Sequence, residues 1–260
     1  MNTNQQNISL GRLPLERLKE TRQESMIPFV ILGLIRRTAL GLARLRYQVK
    51  TSVLETFPSK GGVLLVCNHE SYVDTVILSV ACPRPIRFLS YEGLFGVPIL
   101  GTILRLAGAI PVSSTRATDA IRRATECLRR GEVVCIFPEG QLTRTGCLME
   151  LKSGFELISR QAGCPVVVAQ LAGLWGSIYS FAGGRYFTKW PKGLRRRAAV
   201  SFSIPMQGCE ATTERVKEIL LEHGDPPRHV ICGGSLPTLA TGKLDLAASR
   251  RLIEDQSITA

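Results

Sequence analysis

The sequence predicts an α/β fold, a single domain with a mixed, largely parallel sheet flanked by helices. Three observations predict it. Short apolar runs at 63–67, 86–90, 109–112, 133–137, 165–170 and 200–204 read as strands, several of them buried, bounded by polar or glycine-containing turns. Segments of helical pattern lie between them, near 73–81 and over 94–106, 117–130 and 153–162. Such alternation makes strand–helix–strand units and a sheet that is parallel at least in part. The third observation is size: 260 residues, 45% of them hydrophobic, suffice for one such domain with spare length at both ends.

The elements follow in order. Residues 1–25 are polar and mixed in charge, without a small-residue cleavage pattern, so no secretory signal peptide is expected. Met26–Ile35 is an uncharged apolar run. It is about half the ~20 residues needed to span a bilayer. Arg36, Arg37, Arg44 and Arg46 follow, with Leu40, Leu42 and Leu45 between them. This predicts an amphipathic helix lying in a membrane interface, or else one packed on the domain's own core. The first fifty residues hold nine basic and three acidic side chains, which adds attraction to anionic lipid.

The strand at 63–67 ends in a polar turn, and a helix follows until Pro83 and Pro85 break it. The 94–106 pattern reads as one helix despite Pro98 and Gly101. Ser113 or Ser114 is placed to cap the helix over 117–130, and Gly131 to close it. The helix over 153–162 is closed by Gly163, and a last one is predicted over 212–222. The boundaries are 1–48 for the N-terminal segment, 49–207 for the central domain and 208–260 for the C-terminal helix and tail.

A net charge of +12 calls for an anionic partner. There is no zinc spacing, no aromatic motif for single strands and no repeat, which favours a membrane surface over nucleic acid. The eight cysteines include no C-x2-C pair; Cys67, Cys135 and Cys164 lie in or beside apolar strands as small hydrophobes, as in a reducing compartment. Residues 175–197 mix aromatic and cationic side chains, from Trp175 through Trp190 to Arg197. That composition suits a loop dipping into a bilayer interface, and would also suit a nucleic-acid surface or a solvated loop.

Chemistry concentrates at two strand ends, where open α/β sheets bind ligands. The strand at 63–67 runs into Asn68-His69-Glu70-Ser71-Tyr72-Val73-Asp74, and the strand at 133–137 into Pro138-Glu139-Gly140. A histidine is suited to taking a proton near neutral pH, and a carboxylate fixes its tautomer. Asp74, in the first turn of the following helix, can point back at His69. The bland alternative is a histidine closing a strand and an aspartate favouring a helix N-terminus.

Together these blocks resemble the glycerolipid acyltransferase family, which acylates lysophosphatidic acid and other lysophospholipids. The resemblance spans about 49–206. Gly108 to Ser114, Phe137 to Gly146 and Trp175 to Trp190 are most similar to the acyltransferase module of bifunctional lysophosphatidylethanolamine acyltransferase/acyl-carrier-protein synthetases. It implies that His69 deprotonates a hydroxyl which attacks an acyl thioester directly, with Asp74 orienting His69. It also implies acceptor binding by Asn68, Glu139 and Gly140, no cofactor beyond acyl-CoA or acyl carrier protein as cosubstrate, and a peripheral position on the cytoplasmic side of the membrane. Nucleic acid is not among the implied partners.

The chain departs from the family pattern at two arginines. Ser113-Ser114 stands where many members have one, with Arg116 next; Gln141-Leu142 stands where many have the other, with Arg144 following. Arg144 becomes the candidate phosphate ligand, and a headgroup-bearing acceptor such as lysophosphatidylethanolamine becomes comparable to lysophosphatidic acid. Lys152 reads as a solvated lysine. Residues 236–245 resemble the closing segment of AMP-forming acyl ligases, whose remainder is absent, which suggests a remnant of a fused ligase or chance similarity. The competing function is a lipid- or carrier-binding module with impaired catalysis.

Overall fold

A computed structural model describes residues 37–38, 40–52, 55–190 and 195–222. The apolar run at 26–35 and the segment at 236–245 lie outside the described residues. Seven strands form one sheet: β1 (Tyr47–Ser52), β2 (Val63–Cys67), β3 (Ile86–Tyr91), β4 (Ile110–Val112), β5 (Val133–Ile136), β6 (Val166–Ala172) and β7 (Arg196–Phe202). Their order is β1-β7-β6-β2-β5-β3-β4. Five are mutually parallel; β7 pairs antiparallel with β6, and β1 runs parallel to β7. Among the described residues, 37–38 and 40–46 are helical, and five further helices accompany the sheet: α1 (Asp74–Ala81), α2 (Leu100–Leu106), α3 (Ala117–Arg129), α4 (Gly154–Ala162) and α5 (Thr213–Glu222).

The central strands are apolar on both faces because both faces are covered. Val63, Leu65 and Cys67 of β2 point into one core with Ile77 and Leu78 of α1. Leu64 and Val66 point into the other, with Leu128, Phe155, Ile158 and Leu220 from α3, α4 and α5. Every residue of β2 is buried. Fully burying one such side chain stabilises by roughly 1.5–3 kcal/mol, so this strand is a fixed platform for the turn that follows.

The predicted fold class holds, with local corrections. β1 begins at Tyr47, two residues before the predicted start of the central domain, and is not among the predicted strands; its edge position leaves four of its six residues exposed, which weakens the apolar signal. β7 spans Arg196–Phe202 rather than 200–204, because arginines open it. The 94–106 pattern is not one helix. A 3-10 turn over Glu92–Gly96 is followed by a break at Pro98, and α2 starts only at Leu100. Neither Ser113 nor Ser114 caps α3: Ser114–Arg116 form a 3-10 turn and no side-chain cap bond is made. The closing glycines behave as expected, Gly131 at φ +83 and Gly163 at φ +61.

Candidate active site

β2 and β5 are adjacent and parallel, so the turns after them meet at one edge of the sheet. His69 is the second residue past β2. Its Nδ1 lies 2.8 Å from Asp74 Oδ2. The same oxygen accepts the backbone N–H groups of Glu70 at 2.6 Å and Ser71 at 3.0 Å, while Oδ1 accepts the Ser71 hydroxyl at 2.6 Å. Asp74 is wholly buried. An ionised carboxylate only accepts, so Nδ1 must carry the hydrogen, and Nε2 is left as the basic nitrogen. The ring keeps 18% of its side-chain surface exposed. One face lies on Phe137, with centroids 3.9 Å apart and planes 13° apart.

The turn is held from three sides by buried polar side chains. Asn68 Oδ1 accepts the N–H of Leu171 at 2.7 Å and its Nδ2 donates to the Leu171 carbonyl at 3.1 Å, tying the end of β2 to β6. Glu70 Oε2 accepts the N–H groups of Leu174 at 3.1 Å and Trp175 at 2.9 Å. Glu139 Oε1 accepts the N–H of His69 at 2.7 Å, and Oε2 that of Met149 at 3.0 Å. Burial pushes the Glu139 carboxyl up to about 8, the two N–H bonds oppose this, and the charge of Asp74 adds to it. Asn68 and Glu139, expected to bind acceptor, turn these polar atoms to backbone groups of the site's own turns.

Gly140 lies just beyond, at φ +69; a Cβ there would come within 2.8 Å of Lys152 Nζ. The positive φ favours glycine there. Lys152 is exposed, as expected of a solvated lysine, with its ammonium over Gly140. Arg144 is exposed and lies over the Phe181 ring, 5.5 Å from its centroid. Its loop is built by Thr143: the backbone N–H bonds the His69 carbonyl at 3.0 Å, and Oγ1 accepts from Gly146 at 3.1 Å and donates to the Cys147 carbonyl at 2.8 Å. Arg116, the other candidate cation, is engaged with Glu92 at 2.9 Å.

The aromatic loop after β6 is fastened to the same turn. Tyr72 N–H donates to the Tyr179 carbonyl at 3.2 Å, and Ser71 pairs with Ser180. Tyr72 packs edge-on against Tyr186 at 5.0 Å and stacks on Phe187 at 5.7 Å. Lys189 Nζ reaches the carbonyls of Ser180 and Ala182 and closes the loop on itself. The sequence reading missed Glu70, Ser71, Phe137 and Thr143 as site residues. An acid beside an apolar run was the available signal for Glu70, since a buried carboxylate needs donors; Phe137 continues the apolar run of β5, which ends at Ile136, and carries no such signal.

Fold and site thus define an α/β protein with a histidine–carboxylate pair at the carboxyl edge of its parallel strands. Residues 48–170 match the family model described as Acyltransferase. Over 131 residues the chain is 32% identical to the 1-acyl-sn-glycerol-3-phosphate acyltransferase of Bacillus subtilis, covering 50% of this chain and 65% of that protein. It is 30% identical over 131 residues to the chloroplastic 1-acyl-sn-glycerol-3-phosphate acyltransferase LPAT1 of Arabidopsis thaliana, covering 49% of this chain and 36% of that one. The chain therefore spans between about a third and two thirds of the length of these relatives. The crystal structure of the 1-acyl-sn-glycerophosphate (LPA) acyltransferase PlsC from Thermotoga maritima has the same fold. Its TM-score is 0.58 at 20% identity, covering 76% of this chain and 79% of that one.

Proposed function

We propose that the protein is a glycerophospholipid O-acyltransferase of phospholipid biosynthesis or remodelling. It moves a fatty acyl group from a thioester, acyl-CoA or acyl carrier protein, to the free hydroxyl of a lysophospholipid. The observation that carries this reading is the 2.8 Å contact of His69 Nδ1 with buried Asp74. His69 Nε2 removes the hydroxyl proton as the oxygen attacks the thioester carbonyl. The C–S bond breaks, and the imidazolium returns its proton to the leaving thiolate. The balance closes without a covalent enzyme intermediate and without a cofactor.

Arg144 is the phosphate ligand in this reading, and Gly140 contributes to the acceptor site at the neighbouring turn. The names of the similar proteins favour lysophosphatidic acid. The engagement of Arg116 with Glu92 leaves fewer cations for a bare phosphate monoester, which favours a phosphodiester such as lysophosphatidylethanolamine. Among the described residues no helix is long and apolar enough to cross a membrane. The protein works from the cytoplasmic membrane surface, held by anionic lipid; nucleic acid is no partner. The test is product formation from labelled oleoyl-CoA or oleoyl-acyl carrier protein with each of the two acceptors. One pairing giving product names donor and headgroup. No product from any pairing, with vesicle binding intact, would replace this reading by a lipid-binding module without catalysis.

A further inference from the structure

Two residues other than glycine have positive φ among those described: Ile99 at 65° and Phe187 at 60°. Both are large, apolar and exposed, at 77% and 64%. A β-branched or bulky residue in this region is strained, on the order of 1–3 kcal/mol, and such strain tends to mark functional positions. Ile99 sits in a tight turn closed by the Leu100 N–H to the Pro98 carbonyl at 2.7 Å. It opens α2, whose only buried residue is Gly101 and which leaves Leu100, Ile103 and Leu106 exposed. Phe187 tips the aromatic loop beside Trp190, which is 89% exposed.

Topology places these two tips on opposite flanks of the site. The segment at 92–106 follows β3 and the loop at 173–190 follows β6, while His69 and Glu139 follow β2 and β5 between them. All four strands are parallel, so both tips and the site share one edge. Arg144 and Arg185 are exposed on that edge, as are Arg44 and Arg195, which precede the two oppositely directed strands. Among the described residues none of the four makes an ion pair, whereas Arg122, Arg160 and Arg215 on the helix surfaces do.

We propose that Ile99 with α2, and Phe187 with Trp190, are two lipid-inserting tips that seat this edge on an anionic monolayer with His69 between them. Apolar tips enter the acyl boundary while the unpaired arginines meet headgroups. The strain holding each side chain outward then has a return in lipid that it lacks in water. The inference takes only the choice of a lipid surface from the proposed function, and it adds α2, which the sequence did not mark as membrane-facing.

The test places a reporter on α2. Full-length Ile103→Trp in a Trp190→Phe background is titrated with phosphatidylcholine vesicles with and without phosphatidylglycerol. The expected result is a blue shift with the anionic vesicles and quenching by acyl-chain-brominated lipid. Emission indifferent to vesicles would overturn the proposal. Ile99→Gly, which relieves the positive φ, is expected to melt no lower than the parent yet to bind vesicles more weakly. Combined with Phe187→Ser it should lose roughly tenfold or more in partitioning. Ile204→Ser, past the end of β7 at the opposite edge, should bind as the parent does. Parent-like binding by the Ile99→Gly/Phe187→Ser variant would overturn the proposal. None of these readouts uses acyl transfer, so a failed acyltransferase reading would leave them standing.

Discussion

The Oε1 of Glu139 lies 2.7 Å from the backbone nitrogen of His69, so the turn after β5 holds the turn after β2 through a main-chain hydrogen bond. The neighbouring carboxylate, Asp74, holds the same histidine by its ring. One acid fixes where the residue is and the other fixes which nitrogen is basic. The two acids differ in surroundings: Asp74 receives four hydrogen bonds, whereas Glu139 receives two and is shifted upward by burial.

The Glu139 shift makes stability depend on pH. Its carboxyl titrates near 8 in the folded protein and near the ordinary 4.5 when unfolded. Between those values the native state holds a proton that the unfolded state has released. This contribution is therefore complete below pH 4.5 and is lost as pH rises through 8, at on the order of 1 kcal/mol per pH unit. Urea unfolding at pH 5, 6.5 and 8 should show the decline, and Glu139→Gln should flatten it.

Asp74→Asn should lower kcat by roughly 10²–10⁴-fold, since the base loses its fixed tautomer. An amide keeps one acceptor oxygen for the N–H groups of Glu70 and Ser71, and turns its NH2 to the Ser71 hydroxyl, which must then accept. The charge-assisted bonds become neutral ones, so equilibrium unfolding should move as well as kcat, by about 1 kcal/mol.

Asn68→Ala removes both bonds to Leu171 in a wholly buried place. The expected loss is about 1–3 kcal/mol in stability. A positioning role predicts a fall in kcat with acceptor KM little changed; a direct acceptor contact would raise KM instead.

Arg144→Ala should raise acceptor KM by roughly tenfold or more with kcat largely kept, as expected when a charge-assisted bond to phosphate is lost. Arg144→Lys should recover part of the loss, because the point charge remains while the fork is gone. Steady-state kinetics across acceptor concentration separates these outcomes.

The five parallel strands were legible because they are covered on both faces and their runs are therefore mostly apolar, with few polar residues such as Arg87 and Gln170. His69 and Asp74 stood out because the polar turn interrupts such a run abruptly. β1 and the start of β7 were not legible, since an edge strand and a strand opening on two arginines lack that pattern. The apolar stripe from Leu94 to Leu106 has helical spacing, and the break at Pro98 interrupts it. The roles of Asn68, Glu70 and Glu139 depend on backbone groups some seventy to a hundred residues away, and only the closed sheet brings those donors to them.

The central claim is that His69 Nε2 takes the proton of an attacking hydroxyl. It is tested most directly by single-turnover acyl transfer from labelled oleoyl thioester to lysophospholipid, comparing wild type with His69→Ala at equal folded concentration. The account predicts that the variant binds acceptor and donor yet transfers at least about 10²-fold more slowly. Transfer at the wild-type rate by His69→Ala would contradict it.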